Sequence, residues 1–327
     1  TRGPNRLGSL AGMHRGRILT FAVMTGVLAS GYGAMFTVLD EFRDEYGIQA
    51  KWLGVIVGVG FISSFIAQVL LAPIADRGRA RLMVVIGLAL NVIGLIGMAF
   101  GEQLAVLLPS RFVMGIGVGM ATPAIRRIVI NSDPGRLGHN VGLLLAADVA
   151  GFAAGPAVSA VMVPIWGIRS PFLMIGALTL VSVPIVLRVR VAEATDRPSA
   201  RFAFDLLRNR GMLSGVSMGA ALFLMIGTFD ALWAVVLDDL RASDAMANLG
   251  ITAFAVPLIF LGSYGGRLAQ RVGPFRLGPF GLALGAVYMF LYGHMPTGLA
   301  MFVLAIVHSL SDGLTVSRLN SADLPCT

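Results

Sequence analysis

Ten stretches of about twenty residues, each nearly free of charge, follow one another along the chain, and no other feature limits its folding as much. They cover 18–37, 52–74, 82–100, 104–124, 141–163, 169–188, 212–237, 248–268, 277–294 and 298–317. A hydrocarbon layer ~30 Å thick is crossed by about 20 helical residues. No water reaches backbone N–H and C=O groups there, so each stretch has to be a helix that pairs them internally. The composition leaves little else: 56% of the residues are hydrophobic, 41 are Gly and only 13% are charged. That is too few charges to clothe a water-facing surface and too much apolar side chain to stay disordered. We therefore expect an all-α, polytopic membrane protein. Arg15 and Arg17 before the first stretch, and Ala29, Ser30 and Gly31 at its end, imitate a cleaved secretory signal, but nine more stretches follow.

Charge placement gives the topology. With the N-terminus in the cytoplasm and sides alternating, 20 of the 25 Lys and Arg residues fall on the cytoplasmic side. Arg43, Lys51, Arg169 and Arg241 fall opposite, and Arg111 alone lies inside a stretch. This bias fixes the orientation. It also accounts for the net charge of +8 without a nucleic-acid partner, because the Arg residues are spread over short loops rather than gathered in a patch. Trp52, Trp166 and Trp233 fall at outer ends of spans, where they are expected to anchor at the interface. The single Cys, Cys326, offers no disulfide framework or thiolate cluster, and His14, His139, His294 and His308 have no ligand spacing. No metal and no cofactor is expected, and a membrane enzyme, which needs such a cluster or a nucleophile with its base, is disfavoured.

The longest polar interruption, 189–211, carries Glu193, Asp196, Arg197, Arg201, Asp205, Arg208 and Arg210 and divides the spans as six plus four. The expected organisation is an N-terminal cytoplasmic segment (1–17), a six-helix bundle (18–188), a cytoplasmic linker (189–211), a four-helix bundle (212–318) and a tail (319–327). In the linker, Phe202, Phe204, Leu206 and Leu207 interleave with Arg201, Asp205 and Arg208, which suits a helix on the membrane surface or an ordinary linker equally. The two halves repeat. Val38–Arg43 reads VLDEFR and Val236–Arg241 reads VLDDLR; Ala72–Gly78 reads APIADRG and Gly266–Gly273 reads GRLAQRVG; Asn131 and Ser132 recur as Asn320 and Ser321. Matches in the same order argue for two helical bundles related by an axis along the membrane normal.

Through these residues, and over the chain from about Arg17 onward, the sequence resembles the major facilitator superfamily. Asp76, Arg77, Gly78, Arg79 and Arg81 look like that family's signature loop, with Ala72 where Gly is usual. Arg111, Gly115 and Gly117 look like its RxxxGxG pattern. Gly142, Gly151, Gly155 and Pro156 are similar to the motif of its antiporter branches, drug:proton antiporters in particular, with Ser159 and Ala160 in place of the closing glycines. The resemblance implies the two-bundle fold, with ten spans of an expected twelve, so that the chain reads as an incomplete copy of a longer transporter. It implies secondary active transport in the cell membrane by a monomer: proton-coupled export of small amphipathic compounds, with protons and a small molecule as partners. Import of a sugar or metabolite, or a truncated remnant without transport, are the alternatives. In the family reading the Asp76 loop latches the bundles, its partner in relatives being the eleventh span. Pro156, which removes a backbone donor, bends α-helix there and seals the outer side. A plain GxxxG contact is the competing account of Gly151 and Gly155, and Gly54 with Gly58, Gly115 with Gly119, and Gly281 with Gly285 share that spacing.

Arg111, Asp148, Asp230 and Asp312 are charged residues inside spans, at about 2.5–3.5 kcal/mol each on an insertion scale, and so are candidates for function. The resemblance lines the central cavity with spans one, four, seven and ten. We expect Asp230 or Asp312 to exchange a proton and Arg111 to tune the exchange, against the alternative that each acid makes one interhelical hydrogen bond. His308 lies four residues before Asp312, on the same face as Thr315. No aromatic cage or Arg cluster stands out to specify a substrate. Gly115, Gly117 and Gly119 follow no strand and form no nucleotide loop.

Overall fold

The computed structural model describes residues 5–132, 134–188, 208–242 and 244–322, with some side chains inside those helices left outside the description. Most of the linker 189–211 and the end of the tail lie outside the described residues. Among the described residues ten α-helices follow in order: α1 (Asn5–Tyr46), α2 (Ala50–Ile74), α3 (Ala80–Phe100), α4 (Leu104–Ser132), α5 (Leu137–Trp166), α6 (Ser170–Arg188), α7 (Arg210–Asp239), α8 (Asp244–Val272), α9 (Pro274–Tyr292) and α10 (Gly298–Ala322). Each contains one expected apolar stretch to within two residues at its ends, although α1 begins well before its stretch and α4 runs well past its own. Among the described residues, 7 helices are long and apolar enough to cross a membrane, by length and composition, while α8, α9 and α10 carry shorter apolar segments, Ala253–Gly262, Gly278–Tyr292 and Gly298–Leu314.

Proline and glycine set the breaks. Pro73 ends α2, and the chain turns through Ala75–Arg79 with Gly78 at φ 77°, a backbone region that only glycine enters without strain. Gly273 at φ 94° precedes Pro274 at the start of α9, where the missing proline N–H is an orphan anyway.

The helices form two compact units. The first holds α1 to α4, α5 from Ala150 onward, and α6; the second holds α5 up to Val149 with α7 to α10. In lipid there is no hydrophobic drive between helices, so close backbone approach has to supply the contact. The first unit is built that way. A Cβ on Gly117 would sit 2.6 Å from the Gly87 carbonyl oxygen of α3, whereas Gly115 and Gly119, two residues to either side, face Gly60 and Ser64 of α2. One glycine row of α4 thus meets α3 and the other meets α2. Asn91 of α3, fully buried, faces the Thr179 hydroxyl of α6. Leu95, Met98, Met114, Phe172 and Ile175 fill the remaining core.

The core of the second unit is aromatic: Phe229, Trp233 and Tyr292, with Phe254 and Tyr288 packed against them. Trp233 is therefore not the interface anchor expected from its position. It is 1% exposed with its ring 5.0 Å from Phe229, while Trp52 and Trp166 are 37% and 67% exposed. The end of a span is an interfacial depth, but α7 turns this ring toward the bundle. Elsewhere large rings point outward, among them Phe65, Phe223, Phe260, Phe280 and Phe290. For helices in water this would be an aggregating surface; for helices in acyl chains it is the ordinary exterior.

Candidate functional site

In the first unit the charged residue within a span is wholly enclosed. Arg111 of α4 has 0% exposure. Its guanidinium carbon lies 4.2 Å from the centre of the Tyr32 ring of α1, a cation–π distance. Nη1 donates to the Met114 sulphur at 3.2 Å, while Nε and Nη2 have no hydrogen-bond partner. Among the described residues no carboxylate pairs with it. The space for the guanidinium exists because residue 60 of α2 has no side chain: a Cβ on Gly60 would overlap Nε and lie 2.7 Å from Cζ. Tyr32 is held in turn by its hydroxyl, which donates to the Gly60 carbonyl at 2.9 Å. Three helices thus fix one cation, and two of its nitrogens remain without an acceptor.

The antiporter-type motif is a seam between α5 and α1. A Cβ on Gly151 would overlap the Gly26 backbone, and one on Gly155 would overlap the backbone of Ser30 and Ala34. Gly33 of α1 meets the Phe152 carbonyl and the Pro156 ring in the same way. Ser159, where the resembled motif has glycine, is buried and donates to the Ala34 carbonyl at 3.2 Å. A small hydroxyl thus adds an interhelical hydrogen bond without separating the helices. Gly142 belongs to the second unit, where a Cβ on Gly262 of α8 would lie 3.1 Å from the Gly142 carbonyl oxygen. By contrast a Cβ on Gly54 or Gly58 meets nothing within 4 Å, so among the described residues no helix lies against that pair.

In the second unit α10 carries His308 and Asp312, 1% and 3% exposed. His308 Nε2 is 3.4 Å from Asp312 Oδ2, an ion-pair distance outside hydrogen-bond geometry. On the other side of the ring, Nδ1 is 3.0 Å from the Tyr292 hydroxyl of α9. Tyr288 stacks on the imidazole at 4.6 Å and Phe254 of α8 meets it edge-on at 5.3 Å. The neighbouring Ser309 hydroxyl donates to the Phe254 carbonyl, and Gly313 lets α8 approach to where a Cβ would be 2.9 Å from Leu261 Cβ. The arrangement is a chain of tyrosine hydroxyl, imidazole and carboxyl, enclosed by aromatic rings. It sets three groups able to exchange a proton in sequence, with the imidazole–carboxyl contact still outside hydrogen-bond geometry, and it is closed to bulk water.

The remaining expected residues separate. Asp148 is exposed on α5, unlike Asp312. Asp230 lies in helical backbone of α7 and Asp76 in the turn after α2, but their side chains, like that of Thr315, are outside the described residues. Arg77 and Arg79 are exposed around Gly78, and Arg81 is half-buried. Sequence reasoning missed Tyr32, Gly60, Tyr288, Tyr292 and Phe254. The available signal was a tyrosine away from the interfacial belt, as Tyr32 and Tyr288 are within their spans.

The family model described as Major Facilitator Superfamily matches residues 21–322. Among curated proteins, the chain is 25% identical over 215 residues to the quinolone resistance protein NorA of Staphylococcus aureus, covering 64% of this chain and 55% of that one. It is 30% identical over 182 residues to the 4-hydroxybenzoate transporter PcaK of Pseudomonas aeruginosa, covering 54% and 38%. The chain thus spans about half the length, or less, of these curated relatives. Among solved structures it is similar to the proton:xylose symporter XylE bound to 6-bromo-6-deoxy-D-glucose, with TM-score 0.71 and 16% identity over 93% of this chain and 81% of that one. It is also similar to the transporter FucP in the outward conformation, with TM-score 0.68 and 14% identity over 94% and 89%.

Proposed function

The chain belongs to the Major Facilitator Superfamily, and from that premise we propose that it acts as a proton-coupled antiporter exporting small amphipathic compounds by alternating access. The family and fold are those of multi-pass membrane transporters, not enzymes. The reading takes residues 18–188 and 212–318 as the two bundles that alternate, in the cell membrane, with the N-terminus cytoplasmic as the Lys and Arg bias favours.

The observation that carries the proposal is the enclosed pair of His308 and Asp312. An acid inside a lipid-embedded bundle is costly and is therefore a candidate for function, and its charge state changes what the surrounding helices must accommodate. In antiport the protonated and ionised forms of Asp312 serve opposite half-cycles, with Asp230 on α7 as the second acid. Arg111 supplies the fixed positive charge in the other unit. The α1–α5 seam supports the antiporter branch, since backbones that touch without side chains between them leave no leak along that line. Similarity to a quinolone resistance protein supports drug-like substrates.

A second reading is uptake of an organic acid with protons. It rests on the two unpaired nitrogens, Nε and Nη2, of buried Arg111 and on the similarity to a 4-hydroxybenzoate transporter. Proteoliposomes of fixed protein orientation under an imposed proton gradient separate the two. A quinolone driven opposite to proton flow supports export; 4-hydroxybenzoate driven along with protons replaces it with uptake; no gradient-dependent flux of either overturns both.

Gly60→Ala tests the Arg111 site. The added methyl is expected to push the guanidinium off Tyr32, at a stability cost of roughly 1–3 kcal/mol, and to lower gradient-driven transport about tenfold by misplacing a fixed charge. Initial rates at matched protein level, with thermal unfolding alongside, check this.

A further inference from the structure

We infer that Tyr292 is the positioning residue for proton exchange at Asp312, because its hydroxyl selects which protonation form of the His308 ring faces the carboxyl. The inference rests on the proposed role of Asp312 as a proton carrier. The imidazole is held on one face by Tyr288, 4.6 Å away and inclined by 28°, and at its edge by Phe254, 5.3 Å away and inclined by 79°. With 1% exposure, the ring is closed to bulk water. What remains free to change is where the ring proton sits, and that is governed by the partner of the other nitrogen.

Two states follow from the geometry. If the Tyr292 hydroxyl donates to Nδ1, the proton of a neutral imidazole is on Nε2, the nitrogen 3.4 Å from Asp312, and is the one that a small closure of that contact would offer to the carboxyl. That matches an ionised carboxylate, which only accepts. If Nδ1–H donates to the hydroxyl oxygen, Nε2 presents a lone pair, which matches a protonated carboxyl that donates. The two states interconvert as a relay. Once Nε2 and Oδ2 close from 3.4 Å to hydrogen-bond distance, the Nε2 proton passes to Asp312 and the Tyr292 hydroxyl proton passes to Nδ1. A proton from the aqueous phase replaces the one the hydroxyl gave up, and release runs the same steps in reverse. The imidazole stays neutral in both, and only the charge of Asp312 changes. Among the described residues, the other groups facing this cluster are Tyr288 of α9, besides Tyr292, and Phe254 of α8, which is not ionisable; α7 carries Asp230, whose side chain is outside the described residues.

The ionised state should depend on Tyr292 more than the protonated one, because the chain then ends on a charge and its hydrogen bonds are charge-assisted. Tyr292→Phe removes the hydroxyl and keeps the ring packed against Phe229, 5.5 Å away. The test is an infrared titration of the full chain in liposomes, with the proton itself as the probe. The carbonyl band of protonated Asp312 is assigned as the one lost in Asp312→Asn. Tyr292→Phe is expected to move its midpoint to higher pH by about one unit, a tenfold change in proton occupancy at fixed pH. In a His308→Phe background the same substitution is expected to add no shift, since Tyr292 acts through the imidazole.

The outcomes separate the two levels. If Asp312→Asn removes no titrating band, the carrier role of Asp312 falls, and this inference with it. If the band is present and Tyr292→Phe leaves its midpoint in place, the carrier role stands and the role of Tyr292 is overturned. An equal shift with and without His308 also overturns it, because Tyr292 would then act on the carboxyl by another route.

Discussion

Asp312→Asn is expected to lower gradient-driven transport in proteoliposomes roughly 100-fold, to the leak rate, because an amide of nearly the same shape keeps its place beside His308 but releases no proton. Exchange of substrate between two pools without a gradient is expected to continue, since that reaction needs binding and conformational change alone. The comparison of driven and undriven rates at matched protein level is the measurement. Parental driven rates in both Asp312→Asn and Asp230→Asn would remove the proposed coupling.

Gly151→Leu is expected to have the largest effect on the fold. The leucine would be driven into the backbone of Gly26, and a backbone in a packed helix cannot swing aside as a side chain can. A loss of more than about 4 kcal/mol follows, enough to unfold the first unit. Gly58→Leu is the matched control: a Cβ there meets nothing within 4 Å, and the change should stay within about 0.5 kcal/mol. Yield of monodisperse protein and thermal unfolding of the two variants side by side measure the difference. Equal behaviour would remove the α1–α5 seam as a structural element.

These two glycines show what was legible in the sequence and what was not. Gly54 with Gly58 and Gly151 with Gly155 have the same spacing, and spacing says only that a small patch exists, not that a neighbour lies against it. The helices themselves were readable because lipid demands long apolar runs and leaves no alternative to the helix. Arg111 and Asp312 were readable as charges where charge is expensive. His308 was readable because residues four apart share a helix face. Their partners were not. Tyr292 reaches His308 from α9, Tyr32 reaches Arg111 from α1, and Gly60 makes room from α2. Each is a contact between helices, set by rotation about the helix axis, and apolar runs that are greasy nearly all round carry little record of that rotation. Trp233 was misread for the same reason: its depth was inferred from its position, but the direction of its ring was not.

The outward rings of Phe65, Phe223, Phe260, Phe280 and Phe290 carry a practical consequence for handling this protein. In a bilayer, the length and packing of whatever amphiphile surrounds such exposed rings acts as a solvent variable, much as salt does for a charged surface. Stripping or shortening that layer leaves these rings to find one another on neighbouring molecules. Clumping of still-folded protein is therefore expected to precede melting, and bilayer discs, rather than short-chain micelles, are the medium in which differences of a few kcal/mol between variants can be resolved.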